Sequence, residues 1–225
     1  AWVIGNLTTA LMIVAAIDYL IPDPSKVLLK IVISVSLIIL LNVIAFFGIE
    51  ASGFVVVVLA IFSIGLILVV IFPGIFFMDI GNLSPFLAVG IAPILITIFF
   101  LAESFFGWES ATYLAEETKE PEKIIPKALV YGTIIVGVLT TAIASVSLGI
   151  IPWQTLTQTT APLSLVFERI YGAFGNMLNY GVFIALIFAA AGGIITLPRL
   201  ILALARDKLF IAQLSEIHPK YKTPY

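Results

Sequence analysis

Residues 99–128 read FFLAESFFGWESATYLAEETKEPEKIIPKA, an apolar run that breaks at about Gly107 and passes into a charged segment ending near Pro126. In lipid, every backbone N–H and C=O group needs a partner. A break at membrane depth therefore persists only where protein covers it or where it lines a wet cavity. Secondary transporters place their substrates at discontinuous helices of this kind. The stretch thus predicts a broken membrane helix with a polar site at the break.

The composition of the chain is typical of a multi-pass membrane protein. Of its 225 residues, 61% are hydrophobic and 11% are charged, and the mean hydropathy is +1.20. A soluble domain of this length needs far less apolar material for its core, so the lipid bilayer is the predicted surroundings. The net charge of -2 and the lack of a basic stripe give no indication of a nucleic-acid partner. The lack of cysteine removes thiolate catalysis and cysteine-ligated metals.

Six apolar runs are long enough to cross a bilayer, since each crossing takes about 20 residues. We predict spans over about residues 1–20, 27–47, 54–72, 86–116 (broken near residue 107), 128–151 and 177–205, with a polar cytoplasmic tail over 206–225. Residues 152–175 are too polar to cross, and their amphipathic part, PLSLVFERIYGAFG, predicts a short helix lying on the surface. The chain starts inside an apolar segment without Met, so we expect a piece of a longer protein.

Basic residues are divided unevenly between the two sets of loops. One set carries Lys119, Lys123, Lys127, Arg206, Lys208, Lys220 and Lys222, whereas the other carries Lys26, Lys30 and Arg169. The positive-inside rule predicts that the richer side is cytoplasmic, which places both ends of the chain inside and the 21–26 loop outside. Asp18, near the outer end of the first span, is expected to be solvated.

Three stretches resemble the amino acid/polyamine/organocation permeases. Residues 105–128 resemble the helix-6 signature of that family, with its aromatic residue, Gly107, Glu109, the acidic pair and the Ile-Pro-Lys-Ala end. Residues 199–225 are similar to the exit of the family's helix 8, and the Gly5-Asn6 pair is similar to helix 3 of its arginine/agmatine exchangers. The resemblance implies an all-α, multi-pass, partial LeuT-like fold in which the six spans correspond to helices 3 to 8 and helix 6 is discontinuous.

The resemblance implies an amino acid permease of the cell (plasma) membrane, which carries L-amino acids by alternating access with H+ or Na+ as a possible coupling ion. The half-helix that ends near Phe105 would leave carbonyl oxygens suited to an ammonium group. We expect the substrate to meet a set of residues at the break and on the first span: Asn6, Phe105, Phe106, Gly107, Trp108 and Ser110. Glu103 and Glu109 are expected to act in gating or coupling.

Each of these residues also has a purely structural interpretation. Gly107 is a possible packing glycine, and Asn6 is a possible hydrogen-bonding residue between helices. The aromatic residues suit lipid-facing positions, and Glu109 suits a helix end at the interface. Glu103 stands where the family usually has an aromatic gate, and as a neutral acid it can hydrogen-bond to a neighbouring helix. Lys208 replaces a glycine usual in the family, which predicts a changed local geometry in the cytoplasmic loop.

Two other classes of function are alternatives to transport. A membrane sensor or partner subunit without transport activity would keep the same fold, because fold alone does not settle function. An intramembrane enzyme lacks support, since the spans hold no paired aspartates and no Ser/His set. His218 is the single histidine and lies in the polar tail, and no HExxH motif is present, so no catalytic residue, metal or cofactor is predicted.

Overall fold

The computed structural model of the chain describes residues 2–46, 53–84, 90–103, 112 and 118–217. Over these ranges the chain is built of α-helices joined by short turns, and the helices are α1 (Trp2–Leu20), α2 (Val27–Phe46), α3 (Gly53–Gly74), α4 (Ile91–Glu103), α5 (Pro121–Ile150), the one-turn α6 (Trp153–Leu156), α7 (Pro162–Tyr171) and α8 (Gly175–Arg206).

Four apolar stretches of the described residues are long enough to cross a membrane. They are Val27–Ile44, Val57–Phe77, Pro121–Ile150 and Pro162–Ile194, and the apolar part described in α1, Thr9–Leu20, is shorter. In lipid, the helix satisfies all backbone hydrogen bonds within one segment, which is why even the β-branched run of α3 is helical. The predicted all-α, multi-pass membrane fold is confirmed.

Helix α5 begins earlier than the sequence suggests. The expected start was near residue 128, with Pro126 in the first turn, but the helix starts at Pro121 and carries Pro126 in its interior. Pro121 occupies the first helical position, where a missing N–H group costs nothing. The preceding Glu120 has a left-handed backbone, with φ 46° and ψ 56°, and marks the sharp entry into the helix. Helix α5 therefore begins with charged turns that precede its uncharged stretch, residues 128–150.

The described helices form two apolar clusters that share α8. In the first, the α1–α2–α8 cluster, Ile13 and Ile17 of α1 are fully buried against Ala190 of α8. In the second, the α3–α5–α7–α8 cluster, the buried residues come from four helices: Val70, Val146, Ile150, Val166, Phe167 and Val182. The amphipathic segment predicted at the surface forms α7, and its apolar side is buried in this second cluster.

Glycines bring α8 close to its neighbours in the second cluster. A Cβ atom at Gly175 would lie 2.5 Å from the carbonyl oxygen of Phe167, and one at Gly181 would lie 2.8 Å from Cδ2 of Leu66. Small residues at helix contacts are the usual means of close approach in membranes, where no hydrophobic effect drives helices together. Backbone proximity, with aliphatic side chains filling the remaining space, therefore holds this cluster.

The turn after α3 covers the end of α5. The backbone N–H of Asp79 and the side-chain amide of Asn82 both donate to the carbonyl oxygen of Gly149, each at 2.9 Å. Carbonyl groups in the last turn of a helix have no partner inside the helix. The two donors provide hydrogen-bond partners for the Gly149 carbonyl, and they fix the turn to α5.

Helix α8 ends in a Schellman motif. The N–H of Leu209 donates to the carbonyl of Leu204, the N–H of Lys208 donates to that of Ala205, and Lys208 has a φ of 59°. This left-handed position is the one that glycine fills most easily. Lys208 adopts this conformation although it has a Cβ atom, at a cost in backbone strain. The change of local geometry relative to the family stays a prediction.

Candidate functional site

The predicted break lies outside the described residues. Phe105, Phe106, Gly107, Trp108, Glu109 and Ser110 all belong to this group, and the discontinuity of the helix remains a prediction. The described structure reaches the break from one side through α4, which runs to Glu103, and resumes as continuous chain at residue 118.

Helix α4 leads along the chain to the predicted break. Its residues from Ile91 to Glu103 rise about 20 Å, whereas the hydrocarbon core is about 30 Å thick. The described part of α4 therefore covers less than the thickness of the core. The described part of α4 is apolar and largely exposed, and it has no extensive packing with another described helix.

Asn6 lies near the start of α1, where only its backbone is described, one turn before Thr9. Thr9 is 3% exposed, and its hydroxyl would lie 3.3 Å from a Cβ atom at Gly193. Helix α1 packs along α8 more extensively than any other pair of described elements. The absent side chain of Gly193 allows Thr9 to enter this contact, so the helix that carries Asn6 is fixed firmly against α8.

Contacts between the predicted site residues lie outside what the structure describes. Asn6 and Glu103 are placed by their backbones on α1 and α4, and the other members lie outside the described residues. What the structure does supply is the frame on either side of the break: α4 before it, α5 after it, and the α1–α8 contact. The roles of the named side chains therefore remain proposals.

A buried ion pair was missed by the sequence analysis. The Lys30 ammonium lies 2.5 Å from Oδ1 of Asp18, and these side chains are 15% and 12% exposed. The expectation that Asp18 is solvated was therefore wrong. A signal was present in the sequence: α1 and α2 are joined by a six-residue turn, and the opposite charges stand at similar distances from it, on antiparallel helices.

Ser34 continues the polar group one turn deeper along α2. It is 5% exposed, and its hydroxyl has no hydrogen-bond partner in the described part of the chain. Ser36, two residues further on, donates instead to the carbonyl of Val32, which is the usual solution for a hydroxyl on a membrane helix. Toward the turn between α1 and α2, the α1–α2–α8 cluster thus carries three polar side chains: Asp18, Lys30 and Ser34.

The turn between α1 and α2 has its own, exposed carboxylate. The Ser25 hydroxyl and the Ser25 N–H both donate to Oδ1 of Asp23, at 2.7 and 2.9 Å. These hydrogen bonds, with a smaller contribution from the positive charge of Lys26, hold the pKa of Asp23 below its usual value. Asp23 is thus a fully ionised surface carboxylate at neutral pH.

The whole length of the chain matches a known protein family. A family model described as amino acid permease covers residues 1–225.

Among curated proteins, the chain is similar to the branched-chain amino acid permease BcaP of Bacillus subtilis, with 25% identity over 80% of this chain and 39% of that protein. It is 26% identical to the methylthioribose transporter of the same bacterium, over 84% of this chain and 41% of that protein. It is also 29% identical to the chloroplastic cationic amino acid transporter 9 of Arabidopsis thaliana, over 81% of this chain and 32% of that protein. The chain thus spans less than half the length of these relatives.

Proposed function

Because the chain belongs to the amino acid permease family, we propose that it serves the secondary active transport of L-amino acids by alternating access. The observation that carries this proposal is the match to the family over all 225 residues, which includes the signature at the predicted break. Relatives named as transporters, none of them as an enzyme, support it. We place the protein in the cell membrane, with residues 117–127 and 206–225 on the cytoplasmic side.

The proposed site is the break after α4. There, the carbonyl oxygens at the end of the first half-helix would accept hydrogen bonds from the substrate ammonium group, because they have no partner inside the helix. Phe105, Phe106 and Trp108 would form the wall for the substrate side chain. Asn6 would contribute from α1, which the structure fixes against α8.

We propose different roles for the two carboxylates near the break. Glu109 matches the family position and is proposed as the gating or coupling acid, since intramembrane acids usually mark ion or proton pathways. Glu103 replaces an aromatic gate and is proposed as a determinant of substrate choice. The coupling ion would be H+ or Na+.

The proposed substrate is a neutral or cationic L-amino acid. An anionic side chain would meet Glu103 and Glu109, and no lysine or arginine lies in the apolar stretch that carries them. An apolar side chain suits the aromatic wall, and a cationic one suits Glu103 through charge pairing and cation–π contact. The relatives named for branched-chain and cationic amino acids support this range.

Uptake of radiolabelled amino acids into proteoliposomes tests the proposal. We expect the full-length protein that carries this chain to accumulate leucine or arginine in preference to glutamate. Glu109→Gln should flatten the pH dependence of uptake, whereas Glu103→Phe should change substrate preference more than the pH response. A correctly folded protein that moves none of the three amino acids would favour the sensor or partner-subunit alternative, and preference for glutamate would reject the proposed substrate class.

A further inference from the structure

We propose that the first turns of α5 form a binding surface for the headgroups of anionic phospholipids. The surface consists of Lys123, Lys127 and Tyr131, which follow one another at intervals of four residues and so lie along one side of the helix. We call these residues the Lys–Tyr stripe. The Lys123 side chain is 74% exposed, Tyr131 is 64% exposed, and Lys127 is exposed as well. This inference is independent of the substrate that the protein transports.

The length of α5 places the stripe in the headgroup layer. The helix has 30 residues, which corresponds to about 45 Å, whereas the hydrocarbon core is about 30 Å thick. Residues 128–150 carry no charge and are long enough to cross that core alone. The other end of α5 is fixed in the second apolar cluster through Val146 and Ile150. The residues that extend beyond the core are therefore the first turns, with Lys123 and Lys127.

The side of α5 below the two lysines is suited to lipid. Ile134 and Val138, which continue the stripe toward the membrane centre, are 57% and 64% exposed. One side of the helix thus presents basic, aromatic and aliphatic residues in turn. This is the order in which a helix meets the headgroups, the interface and the acyl chains of a leaflet. The headgroup, the interfacial part and the acyl chains of one lipid molecule would therefore all contact this side of α5. A soluble phosphate would contact the lysines alone.

The lysines are available to a phosphate group. Lys123 contacts Glu120 at 2.9 Å, but both side chains are mostly exposed, and exposed pairs of this kind contribute little. Lys127 forms no ion pair with any residue in the described part of the chain. Glu122 is also exposed, but it is about 100° around the helix from Lys123 and further from Lys127. A phosphodiester can therefore replace the Glu120 carboxylate without meeting another acid of the described residues on that side.

The absence of cysteine from the sequence permits a local test. A single cysteine introduced as Val130→Cys, next to the stripe, carries a bimane fluorophore in nanodiscs that contain the purified chain. Quenching is measured in two mixtures: brominated phosphatidylglycerol in phosphatidylcholine, and brominated phosphatidylcholine in phosphatidylglycerol. The comparison gives the relative association constant of the two lipids at that position. We expect phosphatidylglycerol to be favoured roughly fivefold where one lysine contacts it and about 25-fold where both do.

The double change Lys123→Gln and Lys127→Gln tests the lysines. It should bring the association constant of phosphatidylglycerol relative to phosphatidylcholine close to one. The change of both lysines to arginine keeps the charge and should keep the preference, which also shows that loss in the glutamine variant is not misfolding. Lys26→Gln, in the turn between α1 and α2, should leave the value unchanged. A probe introduced as Leu148→Cys lies on the same side of α5 at its other end and should show no dependence on the lysines.

Four results would overturn the proposal. One is equal association of both lipids in the unmodified chain, and another is an unchanged preference in the double glutamine variant. The third is a Val130→Cys probe that brominated lipids do not quench, because protein would then cover this side of α5. Excess glycerol 3-phosphate should not displace the lipid; if it abolished the preference, the surface would bind phosphate groups as such and not the membrane.

Discussion

The two apolar clusters of this protein are held together by different means. The α1–α2–α8 cluster contains a buried ion pair, Asp18–Lys30, and a buried hydroxyl at Ser34. The α3–α5–α7–α8 cluster has an aliphatic core and depends on close backbone approach at glycines. The first cluster should therefore be sensitive to the loss of a charge, and the second to the addition of a methyl group. Substitutions that test this difference follow in order of expected effect.

The largest effect is expected for Asp18→Asn. Removing one partner of a buried pair leaves the other charge uncompensated, so we expect a loss of about 3 kcal/mol in the free energy of unfolding. The double change Asp18→Leu and Lys30→Met should recover most of that loss, because it removes both charges together. Detergent-solubilised protein unfolded by chemical denaturant would provide both values. Asp23→Asn is the matched control, since Asp23 pairs with Lys26 at 3.9 Å on the surface and should change little.

A single methyl group should destabilise the second cluster. Gly172 has φ 60° and ψ -141°, a region that side chains rarely adopt, and Gly172→Ala should cost about 1–3 kcal/mol through backbone strain alone. Gly175→Ala should cost at least as much, because its Cβ would meet the Phe167 carbonyl. Gly137→Ala is the control, since a Cβ there has open space and alanine favours the helix. A loss at Gly137 equal to that at Gly175 would contradict the close-approach explanation.

A gain in stability is expected at the end of α8. Lys208 occupies a left-handed position that glycine adopts without strain, so Lys208→Gly should raise the free energy of unfolding by about 1 kcal/mol. Thermal unfolding in detergent would show this as a higher midpoint. Lys208→Ala keeps the strain while removing the charge, and it should give no comparable gain. If alanine stabilised the protein as much as glycine, the effect would come from charge.

The smallest effect concerns pH and the exposed turn before α2. Hydrogen bonds from Ser25 lower the pKa of Asp23 from its usual 3.8, so the carboxylate favours the folded state wherever it is ionised. That contribution is complete above the unfolded pKa and is lost as the pH falls through the folded pKa. Wild-type protein and Asp23→Asn should therefore differ in thermal midpoint at pH 7 and converge only well below pH 4. If the two thermal midpoints already converged at pH 6, the lowered pKa of Asp23 in the folded state would be contradicted.

Much of the helical architecture could be predicted from hydropathy, because a bilayer leaves the backbone few alternatives to a helix. The ends of helices were less predictable. Two prolines compete to start α5, and only the left-handed Glu120 identifies Pro121 as the first helical residue. The burial of Asp18 required a partner from another helix, which a search along a single span does not reveal. Lys208 shows that the backbone of the Schellman motif can prevail over the residue's own preference.

The predicted site is a different case. Its helix α4 follows the apolar run that the sequence shows, and Asn6 lies on α1 as expected. The remaining site residues are Phe105, Phe106, Gly107, Trp108, Glu109 and Ser110, and their contacts would follow from how the predicted break meets neighbouring helices. Residue type and spacing do not determine that arrangement, so the motif supports a family and a proposed chemistry more strongly than a geometry.

The sharing of α8 has a consequence for cooperativity. Val182 belongs to one cluster and Ala190 to the other, and only about 12 Å of a single helix separates them. Loss of packing in either cluster therefore exposes one side of the same helix and weakens the other cluster. The two should not melt as independent units, despite their different chemistry. A disturbance at Asp18 would then be reported by amide hydrogen exchange in α7, a helix that makes no ion pair with it.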